Sequence, residues 1–423
     1  MIKLLKIFVA LCLATFSTHL LAENDTFAAD SANAVVESTE SFVENPAQRE
    51  PVGLIFDRTF SQVVGAEAII TAFRGYQLLD DWIAPSTAGN TSGSMIAGRF
   101  GKAIFEGLLS TTAMVTQHEV FGHGARAREF DIHVYRYSIG PFGGSTSFNA
   151  TKFNQLSLNE QIAFTAGGME GSNILGRQIR GRWLRSQSID SREASLYFAV
   201  SYLDQTQYIM STKLSNRDRT FPIGHDVFQY VNEVNRWNRG QTLTTHKLRK
   251  QALVDFLDPY LYYSIYSIGL YVIDGCQLWE YPMIPIGEYR FLPMARLVLA
   301  PYGPEYQLTT LIKGPERNII ANFRYGNTGR QHSSALGIEV SDILSSDLLF
   351  VDGKVELWNQ PKLYTAFASG REKLGAAASL VARYRVIKQL DVLGQAGYKT
   401  TGFIPGEELK HGPILRVGFM LNI

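Results

Sequence analysis

The sequence predicts an α+β protein in which a mostly helical block with one small β-hairpin precedes an antiparallel β-barrel of about eight strands. Two observations carry this. Apolar residues recur at helical spacing over most of 52–285, and after Pro285 the chain changes to runs of about ten residues that alternate apolar and polar and break at Gly, Pro, Asn and Asp. A third observation limits the alternatives. Beyond Ala22 there is no uninterrupted apolar run long enough for a transmembrane helix, the most apolar stretch being Tyr260 to Ile273.

Residues 1–22 read as a signal peptide, with Lys3 and Lys6 ahead of a largely apolar run that closes at Ala22. The exported chain is then expected to keep only Cys276, which excludes an intramolecular disulfide. With 40 basic against 39 acidic residues, nothing in the charge points to nucleic acid as a partner. Residues 23–51 are acidic and poor in large apolar side chains, and cannot bury enough surface to offset the entropy of ordering. They are expected to form a flexible acidic leader.

Within 52–285, helical spacing predicts helices over Phe60 to Trp82, Ser94 to Phe121, Leu156 to Arg185, Ser191 to Thr212, His225 to Trp237 and His246 to Leu257. Ile132 to Phe148 alternates like a hairpin, with Gly140, Pro141, Gly143 and Gly144 supplying its turn.

From 286 to 423 the candidate strands are 289–300, 304–313, 317–326, 333–342, 347–358, 362–369, 375–386, 389–401 and 412–423. Bacterial barrels have even strand numbers, so either one of these lies outside the wall or 260–273 adds another. Leu415, Val417, Phe419, Leu421 and Ile423 oppose Arg416, Gly418, Met420 and Asn422. Alternation does not say which face points outward: a soluble sandwich buries its apolar face, whereas a membrane barrel turns it to lipid. Arg416 to Ile423 resembles the C-terminal signal of bacterial outer-membrane barrels, with Ile423 where an aromatic usually stands. That resemblance implies an outer-membrane barrel surrounded by lipid.

Chemistry is concentrated at His118-Glu119-Val120-Phe121-Gly122-His123. Zinc hydrolysis needs converging neutral imidazoles, a further ligand, an open position for water and a carboxylate to take that water's proton. The usual peptidase pattern sets its histidines at i and i+4, one above the other on a helix. Here the spacing is i and i+5, which on a regular helix separates them by roughly 140° instead of 40°. A π-bulge at Phe121 and Gly122 is expected to absorb the extra residue.

This HExxGH pattern is similar to the motif of the dipeptidyl peptidase III family of zinc peptidases. The resemblance implies His118 and His123 as zinc ligands and Glu119 as general base. The family's second, glutamate-rich motif is absent, so the resemblance extends to the motif alone.

About fifty residues downstream, Glu170 in Ala166-Gly167-Gly168-Met169-Glu170-Gly171 is the candidate third ligand. The glycines strip side chains from one helix surface and allow close approach to the His118 helix. Glu160 and Glu129 are alternatives for this ligand. Another arrangement takes Glu119 and His123, at i and i+4, as the ligand pair with His118 outside it. The order of motif helix, hairpin and acid-bearing helix looks like the gluzincin plan of zinc peptidases. In that plan a strand beside the cleft pairs with extended substrate, a role that falls to Ile132, Val134 and Tyr135. His225 and Asp226 are candidates for a transition-state donor or for supporting a ligand, with an ordinary helix start as the competing reading. Arg126 and Arg128 could meet a substrate carboxylate or merely end a helix.

The expected function is that of a zinc-dependent peptidase of the bacterial cell envelope, acting on a peptide or protein and held in the outer membrane. The rivals are a soluble periplasmic peptidase, and a non-catalytic outer-membrane barrel or binding protein whose HExxGH segment is structural or only binds metal.

Overall fold

Periodicity placed the helices well, as the computed structural model shows; it describes residues 52–83, 88–215, 224–329 and 331–422. The expected signal peptide 1–22 and acidic leader 23–51 lie outside the described residues. Strand β1 (Val52–Phe56) leads into α1 (Gln62–Ile83) and α2 (Gly93–Thr116). Helix α2 continues through a π-helical segment, Gln117–His123, into α3 (Gly124–Glu129). The hairpin follows as β2 (Val134–Gly140) and β3 (Gly143–Phe148), then short α4 (Ala150–Asn154) and long α5 (Leu158–Ser186).

A capping box starts α5: Ser157 Oγ accepts from the Glu160 amide at 3.4 Å, and Glu160 Oε2 accepts from the Ser157 amide at 2.9 Å. After β4 (Ser188–Asp190), α6 (Ser191–Phe198) runs through a second π-helical segment, Ala199–Gln207, into α7 (Tyr208–Ser215). Helices α8 (Asp226–Asn238), α9 (Thr245–Ala252) and α10 (Pro259–Asp274) complete the set. The apolar run 260–273 is therefore helical and adds no strand. Pro259 at its first position and left-handed Gly275 at its end bound it.

The remaining strands are β5 (Leu278–Glu280), β6 (Ile284–Ile286), β7 (Tyr289–Ala300), β8 (Gly303–Lys313), β9 (Asn318–Thr328), β10 (Gln331–Ser345), β11 (Leu349–Pro361), β12 (Glu372–Ile387), β13 (Leu390–Lys399) and β14 (Gly412–Leu421). Eight of the expected strands are present, and 362–369 is loop.

The expected closed barrel is not what forms. The chain is α+β, but its large sheet is an open, antiparallel, ten-stranded one in the order β1-β14-β13-β12-β11-β10-β9-β8-β7-β6. Closure would need the two edge strands, β1 and β6, to pair, and each pairs on one side only. Helices meet the chain at or near both edges. Thr71 Oγ1 of α1 donates to the Gly53 carbonyl of β1, and Tyr263 Oη of α10 donates to the Pro282 carbonyl just before β6 at 3.1 Å.

Helix α5 packs against the inner face of this sheet, so the helical and β parts share their cores. One apolar cluster joins Phe164, Tyr230 and Trp237 to Leu297, Val298 and Phe403, and another joins Phe73, Trp183 and Tyr197 to Leu292, Met294 and Ile320. Strand β7 is buried without interruption from Met294 to Ala300, as a strand covered on both faces should be.

Farther along, the sheet has inverted polarity. Its inner face carries buried Arg324, which reaches Glu305 and Glu356 at 2.6 Å each, and Arg416, which meets Asp57 at 3.1 Å and Glu407 at 3.0 Å. Arg177 of α5 pairs with Glu339 of β10. The opposite face exposes Leu336, Ile338, Val355, Leu357, Leu380 and Val417. Charges are thus enclosed and paired while apolar side chains face outward. Among the described residues no helix is long and apolar enough to cross a membrane.

Candidate metal centre

The site is built on the π-helical turn. The wider turn over Gln117–His123 absorbs the extra residue of the i, i+5 spacing and brings both imidazoles to one side, ring centroids 5.0 Å apart. The turn is tied down from both sides, since Gln117 Nε2 donates to the carbonyls of Gln62 and Gly171 at 3.0 Å each. Its close neighbour is the glycine surface of α5. A Cβ at Gly122 would come within 2.6 Å of the Gly167 carbonyl and the Gly168 Cα.

The two imidazoles meet at Asp226, the first residue of α8. Asp226 Oδ2 lies 3.1 Å from His118 Nε2 and 3.3 Å from His123 Nε2, and the three ligand atoms lie within 4.8 Å of one another. Tetrahedral ligands at zinc bond lengths stand about 3.3 Å apart, close to the two separations from Asp226 Oδ2.

The outer ring nitrogens are also held. His123 Nδ1 is 2.9 Å from the Phe164 carbonyl, which can only accept, so Nδ1 carries a proton and Nε2 is the nitrogen turned to Asp226. His118 Nδ1 is 2.9 Å from Asp204 Oδ1.

Glu119 stands beside them on the same turn. Its Oε2 accepts from Thr146 Oγ1 of β3 at 2.6 Å, and a Cβ at Gly144 would sit 2.9 Å from its Cγ. The strand backbone therefore passes close over the carboxylate.

Electrostatics favour a cation here. Burial opposes protonation of His118, but Asp204 and Asp226 outweigh it and hold its pKa well above the usual value. For His123 burial is likewise outweighed, chiefly by Asp226. Burial raises Asp226, yet His123 and His118 hold it below the ordinary carboxylate range. The carboxylates thus demand positive charge between them, which protons or a metal ion can supply. His118, His123 and Asp226 could hold a metal.

The structure brings together His118, His123 and Glu119 of the expected site, and sets Asp226, for which the sequence suggested a supporting or transition-state role, between the two imidazoles. Glu170 does not join them. It is buried against Arg126, with Oε1 and Oε2 at 2.6 and 2.8 Å from Nη2, and also accepts from Gln62 Nε2 and the Gly406 amide. The alternatives are occupied too: Glu160 serves the capping box and Glu129 pairs with Arg126. His225 stacks on Tyr208, centroids 4.4 Å apart, and contacts Ser211 Oγ at 3.2 Å. Tyr208 Oη in turn accepts from the Asp226 amide at 3.2 Å.

Ile132 is buried in the core, Val134 packs against it, and Tyr135 is exposed beside His133. The hairpin strand beside Glu119 is β3. Arg128 is spent on the carbonyls of Thr59 and Phe60. Sequence reading passed over Asp204 and Thr146. The one available signal for Asp204 was an acid inside a helical run whose neighbours are core residues.

A cavity of about 900 Å³ opens over the site between α2, the hairpin, and α6 with its π-helical extension. No protein-family model, curated protein or solved structure matches this chain.

Proposed function

We propose that this chain is a zinc-dependent peptidase of the cell envelope, with His118, His123 and Asp226 holding the ion and Glu119 as general base. The observation that carries the reading is the convergence of both Nε2 atoms on Asp226 Oδ2, with the far side of each ring held by Asp204 or the Phe164 carbonyl. Three protein donors leave a further position free, as catalytic rather than structural zinc sites do. Bound zinc would supply a water of lowered pKa and polarise the scissile carbonyl.

Glu119 is held by Thr146 at the cavity floor, ready to accept the water proton and pass it to the leaving amine. Asp204 and the Phe164 carbonyl keep the imidazoles turned to the site. Zinc content and hydrolysis of quenched peptides test the reading together. Glu119→Gln is expected to keep about one equivalent of zinc and lose activity; retained activity sinks Glu119 as the base. Less than about half an equivalent, unchanged by His118→Ala, would favour the non-catalytic alternative, in which the two histidines and Asp226 are a structural polar cluster.

Envelope localisation is supported by the inverted sheet. Seated against outer-membrane lipid, its exposed apolar face would be removed from water, and α1 beside β1 would shield an edge that lipid cannot satisfy. Release of the full-length protein from membranes by carbonate would overturn this part and leave a periplasmic enzyme.

A further inference from the structure

We infer that the cleft receives a peptide segment with apolar side chains flanking the scissile amide. The inference rests on the peptidase reading of the same site. At about 900 Å³ the cavity stands near the top of the range for pockets that enclose drug-sized ligands. Val115, Phe164 and Leu203 line its depth, and Ile104, Leu108 and Phe142 its rim.

The rim is unusual for its exposure. Phe142 at the hairpin tip is 93% exposed, Ile104 53% and Leu108 40%. Phe100, Ile104 and Leu108 follow one another at i, i+4 along α2, so an uncovered apolar stripe leads along that helix into the mouth. Water-exposed apolar surface continuous with a reaction cleft is what an apolar substrate would cover.

No Lys or Arg occurs among the cleft's described lining residues. The nearby Arg126 is consumed by Glu170 and Glu129, and Arg128 by backbone carbonyls. Among the described residues, acidic side chains flanking the scissile amide would therefore meet no basic side chain.

The test uses the full-length zinc-loaded protein and blocked, internally quenched peptides of equal length. One carries Leu and Phe on both sides of the scissile bond, and a second carries Glu and Lys there. The apolar peptide is expected to show at least about tenfold higher kcat/KM. Leu108→Glu should raise its KM about tenfold at unchanged zinc content. Binding of the same labelled peptides to Glu119→Gln separates this inference from the peptidase reading, because it needs no turnover. Equal binding of both peptides overturns the inference even if hydrolysis is found. Preferential binding of the apolar peptide without any hydrolysis by the unmodified protein keeps the inference and removes the peptidase. A fluorescent acyl chain lacking an amide that binds as tightly as the apolar peptide would overturn the peptide class in favour of lipid.

Discussion

Gly168 of α5 lies directly against the His118 imidazole: a Cβ there would stand 2.2 Å from Nε2, the nitrogen that faces Asp226. The absent side chain is thus part of the site's construction, since any methyl group would displace the ring from its partner. Gly168→Ala is expected to weaken zinc binding by at least about tenfold while the helical circular dichroism persists. Zinc titration of the folded variant measures it, and unchanged affinity would show that the ring has room to move.

Asp226 and Glu170 should separate cleanly under substitution. Asp226→Ala is expected to drop bound zinc below about half an equivalent. Glu170→Gln should leave zinc bound but leave Arg126 with Glu129 as its remaining carboxylate partner, a change expected to cost less than the ~3–5 kcal/mol of a fully broken buried pair. Metal analysis and urea unfolding on both variants test this. Loss of zinc from Glu170→Gln, with Asp226→Ala still loaded, would restore Glu170 as the ligand.

Asp204 acts through His118 and not on substrate. Asp204→Asn removes the charge 2.9 Å from Nδ1 and is expected to lower zinc affinity by about 10–100-fold while the KM of residual loaded enzyme stays near that of the parent. A changed KM at full zinc loading would instead put Asp204 in contact with substrate.

A pH-dependent contribution to stability sits in α2, away from the metal cluster. Burial pushes the Glu106 carboxyl up to about 7, with Tyr76 Oη donating to it at 3.1 Å. The folded state then binds a proton that the unfolded chain releases at a lower pH, so this contribution is greatest below the ordinary Glu pKa. It is lost as pH rises to about 7. Glu106→Gln should abolish this slope, so its Tm relative to the parent is expected to rise between about pH 5 and pH 7. A Tm difference independent of pH over that interval would contradict the raised pKa.

Several parts of the site were legible because they depend on neighbours in sequence. The i, i+5 spacing of His118 and His123 demanded a local widening, and the π-helical turn supplies it. Gly167, Gly168 and Gly171 signalled a close helix contact, which occurs against Gly122 and Gln117. The inference drawn from that contact did not follow. Close approach of two backbones does not decide which carboxylate lies over the metal side, and Glu170 points toward Arg126 and Gly406 instead. Asp226, at the start of another helix, lies more than a hundred residues from both histidines, and no local periodicity links them.

Period and spacing are properties of short stretches, and they were enough to place the longer helices from α1 to α9, the principal strands of the β part and the pairing of two histidines with Glu119, though not α3, α4 or α10. The sequence by itself also determined that one face of each late strand is apolar and the other polar. Only the tertiary structure decided that β1 and β6 stay apart, that α5 rather than a lumen meets the polar face, and that Asp226 completes the cluster. Alternation records which side chains share a face, whereas sheet closure and ligand convergence depend on contacts between distant segments, whose free energies no single stretch of chain encodes.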